Sequence, residues 1–153
     1  MSALAAADSL TLYEQLAALP DGLTGELLAG QLHTQPRPTG PHGRAAVRLD
    51  RTIGRGYDDG EDGPGGWWIL VEPEVHFVRD QVVAVPDLAG WRRERMPHYG
   101  VAHVWLVDPL EHSLEVYALE AGAWRAVLQA SGVERVQAPP FIELTLELES
   151  LWV

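Results

Sequence analysis

The chain has 153 residues, 46% of them hydrophobic and 22% charged, which suits one folded domain of ordinary size. Its 22 Asp+Glu outweigh 11 Lys+Arg, all of them arginine, for a formal net charge of -11, and it has no cysteine. Disulfides, thiolate nucleophiles, cysteine zinc sites, Schiff-base lysines and the phosphate-binding lysine of a P-loop are therefore excluded.

Thr11 and Glu14 have capping-box spacing, and Leu12, Leu16 and Leu19 recur at helical intervals until Pro20-Asp21-Gly22 ends a short first helix. Leu23 to Ala29 and Gln31 to Gln35, turned at Ala29-Gly30, read as a hairpin. After Pro36, Pro38 and Pro41 a second helix is expected from His42 to Arg55, with Ala45, Val47, Leu49 and Ile53 on its buried side. Gly54 to Gly66, rich in glycine and carrying Asp58, Asp59, Glu61 and Asp62, reads as a mobile loop. Trp67 to Val71, Glu74 to Val78 and Gln81 to Val85 are three candidate strands, and an irregular arginine-rich stretch follows Pro86-Asp87. His103 to Val107, Leu114 to Leu119 and Trp124 to Gln129 form a meander, Phe141 to Leu146 one more strand, and Glu147 to Trp152 a terminal helical turn. The fold class expected is α+β, with N-terminal helices covering a mixed, largely antiparallel sheet.

Arg44, Arg48, Arg51 and Arg55 are spaced 4, 3 and 4 apart, so they share one helix face; Arg92, Arg93 and Arg95 form a second basic group. The helix face is either solvated and paired with the acidic loop after it, or a phosphate-contacting surface that carries no sequence information. Asp87, at the end of an apolar strand, is the best-placed carboxylate to meet a divalent cation through oxygen, and it also suits a turn or helix cap. Glu26 stands among apolar neighbours in the hairpin, and Glu72 and Glu74 bracket Pro73. His42 opens the second helix, where it either orients a phosphate or caps. No HxH, HxxxH or HExxH spacing, GxSxG elbow or GxGxxG fingerprint occurs, which gives zinc, serine-hydrolase and dinucleotide chemistry little support.

In order, Leu12-Tyr13-Glu14, Gly25-Glu26-Leu27, Gly40-Pro41-His42, Val85-Pro86-Asp87-Leu88, Tyr99-Gly100-Val101, Val104 to Pro109 and Leu114 to Tyr117 resemble the bacterial restriction endonuclease-like family known as Uma, of the PD-(D/E)XK nuclease superfamily. The resemblance spans nearly the whole chain. It implies one restriction endonuclease-like domain over residues 1–153 that acts on DNA as a phosphodiester hydrolase, with Mg2+ or Mn2+ as cofactor, as a homodimer. It carries over Asp87, Glu26 and His42 as catalytic residues and Asp87 with Glu74 as metal ligands. Arg44, Arg48, Arg51, Arg55, Arg92 and Arg93 are then the expected nucleic-acid contacts.

The family pattern also requires a second acidic strand residue and a helical lysine after the aspartate. This chain has neither, and passes from Asp87 to Tyr99-Gly100-Val101 as if a segment were absent between Pro97 and His98. Without the compact ammonium donor and the second carboxylate, a metal-bound nucleophile loses its support. The alternative expectation is a noncatalytic relic that dimerises or binds nucleic acid. With no apolar run of about 18 residues and no basic start to the N-terminus, a cytoplasmic location without membrane contact is expected.

Overall fold

The computed structural model describes residues 10–95 and 100–152, so the junction of Pro97 and His98 lies outside the described residues. The chain divides into two compact units, Met1–Arg37 with Pro73–Pro86, and Pro38–Glu72 with Asp87–Val153.

The first unit contains helix α1 (Leu12–Ala17) and strands β1 (Leu23–Leu28), β2 (Gln31–Pro36), β4 (Val75–Val78) and β5 (Val82–Ala84), in the sheet order β2-β1-β5-β4. All its strand pairings are antiparallel. The capping box forms as the sequence specifies: the Glu14 N–H donates to the Thr11 hydroxyl and the Thr11 N–H to the Glu14 carboxylate. Leu16, Leu27 and Val83 make the core, with Leu12, Tyr13, Leu19 and Leu32 around them. The helix lies so close to β1 that a Cβ on Gly25 would stand 2.3 Å from Leu19 Cδ1 and 2.5 Å from Leu16 Cδ1.

The second unit is built around α2 (Gly40–Tyr57), longer at both ends than the expected helix. Ala45, Leu49, Ile53 and Tyr57 recur every four residues and are its buried side chains. Val47, expected among them, is exposed, because it falls outside that stripe. They join a core with Leu114, Val116, Phe141, Leu146, Leu148 and Leu151. Strand β3 (Trp67–Val71) pairs antiparallel with β6 (Leu88–Arg92), and β7 (His103–Asp108), β8 (Ser113–Glu120) and β9 (Ala123–Ser131) form an antiparallel meander. Two-residue strands β10 (Arg135–Val136) and β11 (Leu146–Glu147) and a closing 3-10 turn at Leu148–Leu151 complete it. The result is an α+β fold with antiparallel sheets and few helices.

Two local expectations are corrected. The stretch after Asp87 is not irregular at its start: Leu88–Arg92 is a strand, held by pairing with β3 from Trp67↔Arg92 to Val71↔Leu88. Its Ala89-Gly90 centre gives no alternating apolar signal, so only the partner strand defines it. Phe141 to Leu146 is not one strand: the Phe141 N–H bonds the Ala138 carbonyl and the Leu144 N–H the Phe141 carbonyl, which makes turns, and only Leu146–Glu147 pairs. The acidic loop after α2 is tied back to the helix, by Glu61 N–H to the Arg55 carbonyl, Gly65 N–H to the Gly56 carbonyl, and Arg55 ion pairs with Glu61 and Asp62. Among the described residues no helix is long and apolar enough to cross a membrane.

Candidate functional site

Thr39 caps α2 without a side-chain hydrogen bond, and the first turn contains a proline and no acid, which leaves its positive end open to a carboxylate from elsewhere. Asp87 reaches this turn through the His42 side chain. Its Oδ1 lies 2.8 Å from Nε2 of His42, in the first turn, with the two side chains 39% (His42) and 49% (Asp87) exposed. The Asp87 main chain is fixed independently, since its carbonyl accepts from the Glu72 N–H at 2.9 Å, one step beyond the β3–β6 ladder. Two residues named separately from the sequence are thus brought into contact within one unit.

Glu26 and Glu74 belong to the other unit. Glu26 Oε1 accepts from the Val85 N–H at 2.8 Å, which fastens the exit of β5 to β1. Glu74 Oε1 accepts from the Tyr13 hydroxyl at 2.8 Å and contacts His76 Nε2 at 2.6 Å; the Tyr13 and His76 rings are 5.3 Å apart. That hydrogen bond to Glu74 is the main reason the Tyr13 hydroxyl is harder to ionise than an ordinary tyrosine. Sequence inspection missed this cluster because an exposed hairpin acid signals nothing about a tyrosine 61 positions away.

The expected nucleic-acid contacts separate into four kinds. Arg55 is neutralised by the acidic loop. Arg93 is a clamp: its Nε donates to the Trp67 carbonyl at 2.9 Å, and one terminal nitrogen to both the carbonyl and the Oδ1 of Asp58 at 2.8 Å. Asp58 Oδ2 also accepts from the Ile69 N–H at 2.9 Å, and this bond, with Arg93 adding to it, holds the Asp58 carboxyl below the usual aspartate range. Arg92 lies over the Trp67 ring, 5.0 Å from its centroid. Arg44, Arg48 and Arg51 make no ion pair among the described residues.

The divalent ion implied by the family resemblance is not matched by the donors. Among the described residues no three His, Asp or Glu side chains converge closely enough to hold a metal ion. Asp87 meets one imidazole, and Glu74 Oε1 is engaged by Tyr13 and His76. With lysine absent from the chain, no step is drawn through a metal.

No family model matches the chain, and no curated protein matches it. Among solved structures it is similar to a chain from Anabaena variabilis described as "a putative nuclease belonging to DUF820", with a TM-score of 0.67, 17% identity, and coverage of 94% of this chain and 98% of that one. At that identity the likeness shows the fold, which is nuclease-like.

Proposed function

We propose that this is a nuclease-like protein acting on the phosphodiester backbone of DNA, with His42 and Asp87 as its reacting centre. The observation that supports the reading is the 2.8 Å contact between them in a chain of nuclease-like fold. An Asp87 carboxylate accepting from Nε2–H keeps the neutral ring's proton on Nε2 and leaves Nδ1 as the acceptor. An imidazole fixed in that tautomer is suited to take a proton from an attacking water. Mg2+ or Mn2+ enters by resemblance alone, and the proton transfer is what these residues themselves supply.

The unmatched donor set favours a second reading, a noncatalytic dimerising or nucleic-acid-binding relic of the nuclease fold. Nicking of supercoiled plasmid with Mg2+, with Mn2+ and with chelator separates the two. A hydrolase produces nicked circles, and His42→Ala reduces the rate by about 10²–10⁴, the range for loss of a general base; Asp87→Asn acts in the same direction. A wild-type chain that never nicks removes the hydrolase. The relic must then show a defined dimer by light scattering and salt-sensitive retention of DNA.

A further inference from the structure

Along α2, with about 100° between successive residues, the buried Ala45, Leu49, Ile53 and Tyr57 centre on one direction. Arg44, Arg48, Arg51 and Arg55 centre about 150° away, within a stripe about 60° wide. The helix's only acid, Asp50, falls outside that stripe. Elsewhere among the described residues Arg79, Arg93, Arg125 and Arg135 each have an acidic oxygen within ion-pair distance, and Arg37 and Arg92 do not. In a chain with 22 acids and 11 arginines, Arg44, Arg48 and Arg51 stand together as three successive stripe positions with no carboxylate within ion-pair distance among the described residues, whereas Arg37 and Arg92 stand singly on other segments. Arg51 is exposed and the other two half-buried. Arg48 has a buried Nε with no hydrogen-bond partner. That atom is closed to solvent, so a backbone phosphate meets the terminal nitrogens of Arg48 and not its Nε.

We infer that this face of α2, from Arg44 to Arg51, holds the phosphate backbone of duplex nucleic acid without reading its sequence. The inference rests on the DNA-acting reading above and adds the contacting surface. Seven residues of helix span about 10 Å, and duplex DNA presents one charge per about 1.7 Å of axis, so phosphates are available to all three side chains. Arg55, already neutralised by Glu61 and Asp62, adds little. The overall charge of -11 opposes association with nucleic acid in general, so attachment depends on a local group of arginines without acidic partners, and this stripe is such a group.

Fluorescence anisotropy of the full chain with two short labelled duplexes of unrelated sequence, from about 20 to 200 mM NaCl, tests it. Three contacts give a slope of log K against log salt of about -2.7, equal for both duplexes. Arg51→Ala, an exposed change safe for folding, lowers its magnitude by about 0.9, and the Arg44→Ala/Arg48→Ala/Arg51→Ala variant removes it. An Arg125→Ala/Arg135→Ala variant, which deletes two positive charges against one in Arg51→Ala, keeps the wild-type slope. The inference is overturned by no binding at the lowest salt, by an unchanged slope in Arg51→Ala, by equal loss in the Arg125/Arg135 control, or by capture on anionic phosphatidylserine vesicles in place of duplex. Plasmid nicking is scored separately: nicking with an unchanged Arg51→Ala slope leaves the hydrolase and removes the stripe, and the opposite outcome does the reverse.

Discussion

Removing the hydroxyl of Tyr57 tests the packing at the end of α2 and exploits the lack of lysine. Tyr57 is 3% exposed, and its hydroxyl donates to Glu143 Oε2 at 2.5 Å while accepting from the Glu143 N–H at 3.2 Å. Burial, with the Glu143 carboxylate adding to it, pushes its pKa up to about 12 from 10.0. A folded-state value above the unfolded one means that stability is fully present below pH 10 and is lost as pH rises toward 12. Two units at about 1.36 kcal/mol each set a ceiling of about 2.7 kcal/mol. The bond reaches solvent at exposed Glu143, so screening reduces the expected loss to about 1–2 kcal/mol. With no lysine or cysteine, the side chains titrating between pH 9 and 12 are the 4 tyrosines, since arginine stays charged. Urea unfolding of wild type and Tyr57→Phe at steps across that window measures the difference directly. Tyr57→Phe lowers stability at neutral pH by about 1–2 kcal/mol and flattens the alkaline decline. Tyr13 and Tyr117 are also raised, by their hydrogen bonds to Glu74 and Glu115, so absorbance titration at the tyrosinate band compares wild type with Tyr57→Phe, and the variant loses the latest-ionising group. If all four ionise together near pH 10, or the two alkaline limbs coincide, the burial argument fails.

The acid limb reports on Asp58, whose carboxyl lies below its ordinary 3.8 because the Ile69 N–H and then Arg93 favour the charged form. Its contribution is present above that ordinary value and is lost as pH falls through the depressed one, so Asp58→Asn gives a shallower decline in urea midpoint at acid pH; an unchanged acid limb refutes the clamp. A Cβ on Gly63 would stand 2.5 Å from the carbonyl oxygen and 2.6 Å from the Cα of Gly56, backbone that has no rotamer to change. Gly63→Ala accordingly costs about 1–3 kcal/mol in urea unfolding, whereas Gly43→Ala, helical with nothing within 4 Å of its Cβ, gains about 0.5–1 kcal/mol. Equal effects at the two sites would mean that the loop does not press on the helix end.

Elements whose signal lies inside their own residues were legible. The Thr11–Glu14 cap, the hairpin about Ala29-Gly30 and the four-residue spacing in α2 are local patterns that tertiary contacts reinforce. Strand β6 was not, because Ala89-Gly90 offers no alternation and its definition comes from β3, 17 to 25 residues earlier along the pairing register. For the candidate site, the residues were nameable by resemblance but their partners were not. Arg93 and Asp58 are 35 positions apart, and neither differs in type from the other arginines and acids around it. Charge pairing of this kind depends on where the strands place the side chains, a relation that composition and spacing do not carry.

The two proposed features of α2 point in different directions, and this constrains how they would cooperate. His42 lies, by helical angle, on the side of the buried residues, where it meets Asp87, whereas the arginine stripe centres about 150° around the axis. A phosphate held by Arg44 or Arg51 is therefore not the one within reach of His42. On the proposed reading the stripe holds flanking backbone, so its loss removes binding that is the same in ground and transition states. If plasmid is nicked, Arg51→Ala raises KM with kcat unchanged, and His42→Ala lowers kcat with KM nearly unchanged. Steady-state nicking with plasmid concentration varied distinguishes them. A fall in kcat for Arg51→Ala equal to that in kcat/KM would mean that the stripe contacts the reacting phosphate, which the rotation of the helix, locked by Leu49 and Ile53, does not permit.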